Sequence, residues 1–167
     1  MAEDRQLRKE IMIREAGVQD IEAILGLYDQ PEMDDGHALD IERAKMVFDQ
    51  VNAHPFYRFY VAVRDRDEVE SLPADQPDVE VLGVYGLLIM PNFGHQGAPS
   101  AIVEGVCVHP ACQGMGIGRQ MILHAMFVAK QYACYKLALT SNIKRERAHA
   151  FYASLGFEQH GVSFQVA

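Results

Sequence analysis

The chain has 167 residues, 49% hydrophobic and 23% charged, a composition that suits one folded domain with its own core and is too short for two ordinary domains. A formal net charge of −8 at pH 7 argues against a nucleic-acid groove, which needs a basic stripe, and is compatible with a cationic amine substrate. Three cysteines without a C-x-x-C pair and seven histidines without H-x-x-x-H spacing indicate neither a disulfide framework nor a metal site.

No apolar stretch follows the charged start M-A-E-D-R-Q-L-R-K-E, so nothing there resembles a secretory signal. The longest apolar run, residues 81–90, is about half a membrane span. It contains Gly83 and Gly86 and reads as a buried strand. A cytoplasmic, reducing setting is the expectation.

Taken in order, residues 10–15, E-I-M-I-R-E, alternate enough for a first strand. Asp20 is placed to cap a helix whose apolar residues Ile21, Ile24, Leu25 and Tyr28 recur at helical spacing. Residues 30–38, Q-P-E-M-D-D-G-H-A, have no period and read as a loop. A second helix starts near Asp40, with Ile41, Ala44, Val47, Phe48 and Val51 on one face. Residues 58–64 read as a strand, the acidic, proline-containing residues 65–78 as a long connection, and residues 79–90 as the next strand.

Residues 91–99 form a turn-rich loop leading into a strand over residues 101–108. After it comes Q-G-M-G-I-G, residues 113–118, and then a helix with Ile122, Ala125, Met126, Ala129 and Ala133 at helical spacing. Residues 136–140 return as a strand, residues 145–155 as a helix capped by Gly156, and Phe164 with Val166 suggests a last strand.

The glycine-spaced turn is the most informative stretch. Gly114, Gly116 and Gly118 place no side chain over the main chain, so a ligand can approach closely. The turn opens a helix, where unpaired N–H donors and the positive dipole end suit phosphate oxygens. A packing role for the glycines alone is the competing reading. A dinucleotide fingerprint would need G-x-G-x-x-G after the first strand, and a P-loop would need Gly-Lys-Ser/Thr where Arg119 and Gln120 stand.

The run V-C-V-H-P-A-C-Q-G-M-G-I-G, residues 106–118, resembles the acyl-CoA pyrophosphate loop of the GNAT superfamily of N-acetyltransferases. That pattern is Gln or Arg, two residues, Gly, one residue, Gly or Ala, and Gln113, Gly116 and Gly118 fill its places. A-H-A-F-Y-A-S-L-G-F, residues 148–157, is similar to the family's late helix. The resemblance implies a single α/β domain over residues 1–167 with the GNAT fold: a mixed central β-sheet splayed between strands 4 and 5 and flanked by about four helices.

It further implies acetyl-CoA as co-substrate, while spacing, charge and run length lead to the expectation of no metal, no nucleic-acid partner and no membrane association. Pantetheine would pair with the main chain of Val106 and Val108, with Cys107 between them. The pyrophosphate would sit on Gln113, Gly114, Met115, Gly116, Ile117 and Gly118, where side-chain identity at Met115 and Ile117 is expected to be loose. Arg119 either adds charge there or is solvated. Many members carry Asn where Arg145 stands, so that contact falls to Arg145 or to Asn142. A homodimer through strand edges or the C-terminal segment follows from family habit.

Acetyl transfer needs an unprotonated amine, stabilisation of charge on the carbonyl oxygen, and a proton for the departing thiolate. Glu104 lies in the otherwise apolar strand I-V-E-G-V-C-V. A charge there costs several kcal/mol unless it is paired or faces water, so it is the candidate base in a cleft, against an edge-facing or salt-bridged Glu. Gly105 allows a bulge beside it, and the Val106 N–H is the candidate oxyanion donor. The family places a Tyr where Tyr152 stands, making it the candidate acid, against a core aromatic like Phe151 and Phe157. The acceptor, expected to be a small-molecule amine, would meet Glu32, Asp34 and Asp35 as charges and Tyr28, Phe93 and His95 as walls. Direct attack in a ternary complex is the reading, ahead of a Cys107 relay, with a non-catalytic acyl-CoA sensor of the same fold as the alternative.

Overall fold

The computed structural model describes residues 11–34, 37, 39–64, 80–164 and 166, with the side chains of Glu32 and Asp34 outside the description. The strands are β1 (Ile11–Glu15), β2 (Tyr57–Arg64), β3 (Val81–Met90), β4 (Ser100–Val108) and β5 (Lys136–Leu139). The helices are α1 (Ile21–Tyr28), α2 (Ile41–Ala53), α3 (Ile117–Gln131) and α4 (Glu146–Ser154), with a single helical turn at Pro31–Asp34. The sheet runs in the order β1-β2-β3-β4-β5. Neighbours are antiparallel except β4 and β5, which are parallel and therefore need the crossover that α3 supplies.

Both faces of the sheet are covered, which is why β3, V-L-G-V-Y-G-L-L-I-M, is apolar almost throughout instead of alternating. One face packs Tyr60, Leu82, Tyr85, Leu87 and Val103 against Ile117, Met121, Ile122 and Ala125 of α3. The other packs Val61, Val63, Val84 and Cys107 against Ile24 and Leu27 of α1, and α2 closes over α1 through Ala44 and Phe48. Each fully buried Leu, Ile or Met contributes about 1.5–3 kcal/mol. A polar pair sits inside the first layer, where the Tyr85 hydroxyl and His124 Nδ1 are 2.6 Å apart. Burial lowers the His124 pKa, which favours the neutral ring beside the phenol.

Asp20 does not cap α1 with its side chain. Its carboxylate turns back, accepting from Arg14 Nη1 at 2.7 Å, Arg14 Nη2 at 2.9 Å and the Gly17 N–H at 2.7 Å, which fastens the exit of β1 to the start of α1. Desolvation pushes its pKa up, but the Arg14 and Gly17 hydrogen bonds and the Arg14 charge outweigh it, and the net direction is down. A carboxylate held below its unfolded value stabilises above that value and loses the contribution as pH falls through the folded pKa. Arg14 keeps 31% exposure, so Asp20→Asn is expected to cost about 1–3 kcal/mol near neutral pH. In thermal melts that deficit should shrink below about pH 4, the ordinary aspartate range.

Several expectations are corrected. Pro31 starts one helical turn where a loop was read, since its fixed φ suits a first helical position. On α2, which starts where expected, Asp40 is the N-cap, accepting from the Arg43 N–H at 3.0 Å, but Val47 lies on the exposed flank. Helix α3 stops at Gln131, and Ala133 takes a φ of 54° beyond it. Phe164 and Val166 belong to no strand and are exposed. Their alternation has no partner strand among the described residues, and a β pattern without a ladder does not make one. The connection over residues 65–78 lies outside the described residues.

Candidate active site

The parallel ladder between β4 and β5 runs from Ser100–Lys136 to Val103–Leu139 and ends there. Strand β4 continues through Glu104, Gly105, Val106, Cys107 and Val108, still paired with β3 on its other side. The open edge leaves backbone groups that an extended ligand can take up as a strand would. Glu104 is the first residue past the ladder and is exposed, so its charge faces water instead of lying in the sheet.

Gly105 marks a break in register. Val84 pairs with Cys107 and Gly86 with Glu104, so Tyr85 alone faces two β4 residues. The φ of Gly105 is +58°, and a Cβ there would stand 2.6 Å from the Tyr28 hydroxyl. A bulge led by a left-handed glycine is the geometry that bends a strand next to a site. The Tyr28 hydroxyl donates to the Gly105 carbonyl at 3.0 Å and pins the bulge from α1. Cys107 points to the same side, its thiol donating to the Leu27 carbonyl at 3.1 Å, while the Gln30 amide donates to its sulfur at 3.1 Å.

At the far end of β4 the chain turns through His109, whose Nδ1 accepts from the Ala111 N–H at 3.3 Å, and reaches the glycine turn. Gly116 is the N-cap of α3, with a φ of 82° and no side-chain cap. The first N–H groups of the helix therefore carry no side-chain acceptor. An added Cβ on Gly114 or Gly116 would meet nothing within 4 Å, so the main chain lies open above the turn. These features fit a diphosphate.

Gly118 acts differently. Its ideal Cβ would stand 3.4 Å from Phe151 and 3.7 Å from Val108, so it lets α3 close against α4 and the end of β4. The expected looseness at Ile117 does not hold, because that side chain is 2% exposed and part of the core. Met115 is half-buried against the same cluster. Gln113 reaches back, its Nε2 donating to the Val108 carbonyl at 3.4 Å, and Arg119 is exposed.

Tyr152 lies in the cluster that contains Val106, Val108, Met115, Leu139 and Phe157, on the sheet face opposite Tyr28. Its ring contacts Phe151 at 5.1 Å and Phe157 at 5.7 Å between centroids. Burial raises the phenol pKa, and the Arg145 charge works against that rise. Asn142 spends its side-chain oxygen on the Lys144 N–H at 3.0 Å.

On the acceptor side Tyr28 is committed to the bulge, Phe93 is fully exposed, and His95 stacks on Tyr135 with centroids 3.6 Å apart. The structure adds Tyr57 to this side. It lies one residue ahead of the strand read over residues 58–64 and was given no role, and the signal that could have found it is a glycine, Gly86, on the adjacent strand. No helix among the described residues is long and apolar enough to cross a membrane, and they contain no cluster suited to a metal ion.

A mixed sheet parted beside a bulged strand, with an uncapped glycine turn at that strand's end, defines the α/β class of the domain. A family model described as acetyltransferase (GNAT) family matches residues 29–157, and the chain belongs to that family. It is 33% identical over 85 residues to a glucosamine 6-phosphate N-acetyltransferase of Trypanosoma brucei brucei, covering 51% of this chain and 56% of the relative. It is 32% identical over 84 residues to an aminoglycoside N(6')-acetyltransferase type 1 of Stenotrophomonas maltophilia, covering 49% and 55%. The chain thus matches little more than half the length of these curated relatives. A solved putative acetyltransferase from Agrobacterium tumefaciens str. C58 superposes with a TM-score of 0.79 at 30% identity, covering 93% of this chain and 99% of that one.

Proposed function

We propose that the protein is an acetyl-CoA-dependent N-acetyltransferase that acetylates the primary amine of a small molecule by direct attack in a ternary complex. The observation that carries this reading is the end of the β4–β5 ladder at Val103–Leu139, one residue before Glu104. An open strand edge, a carboxylate and a bulge then lie together, with the anion-ready turn at the other end of the strand. Acetyl-CoA supplies the activated acetyl thioester. The N–H groups at Gly114, Met115, Gly116, Ile117 and Gly118 donate to its pyrophosphate oxygens, and the β4 main chain at Val106 and Val108 flanks its pantetheine arm. Arg119, Arg145 and Asn142 border the phosphate end.

Glu104 takes one proton from the incoming ammonium and frees the nitrogen lone pair. The Val106 N–H donates to the carbonyl oxygen as charge builds there. As the C–N bond forms and the C–S bond breaks, Tyr152 gives its proton to sulfur, and the proton lost by the new amide nitrogen restores the phenol. Burial keeps Tyr152 protonated beforehand, and the Cys107 thiol takes no part, being turned into the α1 side.

The test is CoA-thiol release with glucosamine 6-phosphate, an aminoglycoside carrying a 6'-amine, and ethanolamine as probes. Release with at least one is expected; binding of acetyl-CoA with no release under any of them would make the protein a sensor. Glu104→Gln should lower kcat/KM by about 10²-fold or more. The deficit should be largest at low pH, where the amine arrives protonated, and should narrow as pH rises. A deficit that is flat across pH would remove the base role.

A further inference from the structure

Tyr57 opens β2, and its ring tilts on Phe59 with centroids 5.6 Å apart. Its phenol end lies across β3 at Gly86, where an added Cβ would stand 3.0 Å from the hydroxyl oxygen and 3.1 Å from Cε2. Gly86 is the strand partner of Glu104, and paired residues raise their side chains on the same face of a sheet. The Tyr57 hydroxyl thus fills the space that a side chain opposite Glu104 would have taken.

Tyr28, the other phenol on this side, spends its hydroxyl on the Gly105 carbonyl, and Phe59 has none to offer. The Tyr57 hydroxyl has no hydrogen-bond partner among the described residues. The hydroxyl is not among the buried side-chain atoms that lack a partner, so it is left to water or to a ligand. Burial first, and then the Glu104 charge, push this phenol's pKa up. It therefore stays neutral with its oxygen lone pairs available.

We propose that Tyr57 is the acceptor-positioning residue of the site, its hydroxyl oxygen accepting an N–H of the primary amine while Glu104 takes the proton that frees the lone pair. The inference rests on the reading of Glu104 as base. Two oxygen acceptors on one side of the amine, a carboxylate and a phenol, fix the direction of its remaining valence, which is the condition for attack along the open edge of β4. The site is therefore built for a primary amine that keeps a second N–H to donate, and a tertiary amine cannot satisfy it.

The experiment uses Tyr57→Phe and Gly86→Ala, singly and combined, with glucosamine 6-phosphate as the amine probe. Tyr57→Phe should raise the amine KM on the order of 10-fold, the loss of one hydrogen bond to a charged group. It should weaken the calorimetric Kd of the amine for the CoA-saturated protein by a similar factor and leave the acetyl-CoA Kd unchanged. Gly86→Ala, whose methyl would press on the hydroxyl, should reproduce the loss and add little in the Tyr57→Phe background, since both remove one contact. A purely structural Tyr57 would lower Tm and kcat without separating the amine KM from acetyl-CoA affinity. An unchanged amine KM in a folded Tyr57→Phe protein overturns this proposal and leaves the Glu104 reading standing. No CoA-thiol release from the unaltered protein with any of the amine probes overturns both.

Discussion

Replacing Gly116 by glutamate is expected to remove acetyl-CoA binding, with a loss of affinity of at least about a thousandfold. The carboxylate would enter the open space above the turn, where nothing of the protein lies within 4 Å of an added Cβ. There it meets the pyrophosphate. Like charges about 4 Å apart at an effective dielectric of ~20 repel by roughly 4 kcal/mol, which is that thousandfold. Part of any effect at this position is backbone strain, since the φ is 82° and a non-glycine residue there costs about 1–2 kcal/mol. Gly116→Ala bears the same strain without the charge, so the difference between the two variants isolates the electrostatic part. Calorimetric titration with acetyl-CoA reads both variants, and thermal melting shows that each is folded. If Gly116→Glu binds as the unaltered protein does, the turn is not the diphosphate site.

Where function needs an unusual backbone, the residues announce it. Gly116 and Gly105 adopt positive φ, which glycine takes without the strain a side chain would add, and each was readable as a glycine in the wrong company, one opening a helix and one inside an apolar strand. Glu104 was readable for the converse reason, as a charge in a strand where a charge is costly, and the end of the ladder before it explains how that cost is avoided. The parts that were not legible depend on contacts across the sheet. Asp20 had the spacing of a helix cap, but Arg14 on the preceding strand claims its carboxylate. Ile117 stood in a stretch read for its backbone alone, yet its side chain enters the core. Tyr57 and Gly86 lie far apart in the chain and acquire meaning only through the register that sets Phe59 against Gly86 and Gly86 against Glu104. Phe164 and Val166 suggested a last strand, but among the described residues there is no ladder for them to join.

Tyr152→Phe should lower kcat on the order of 10²-fold while leaving the acetyl-CoA Kd and the melting temperature close to their original values. The ring contacts with Phe151 and Phe157 survive the substitution, so packing is retained and only the hydroxyl is lost. That separates a proton donor from a core aromatic, because the latter would leave kcat unchanged. The pH profile gives a second reading. A general acid must be protonated, so kcat falls as pH rises through its pKa. Burial raises the Tyr152 pKa above the ordinary phenol value even against the Arg145 charge. The alkaline limb should therefore lie above about pH 10, and it should vanish in the Phe variant. Arg145 sets how far above. Removing its charge by Arg145→Gln takes away the influence that lowers the phenol pKa, so the same limb should move to higher pH while the Tyr152→Phe profile stays flat. A limb that persists in Tyr152→Phe would belong to another group and would return Tyr152 to the core.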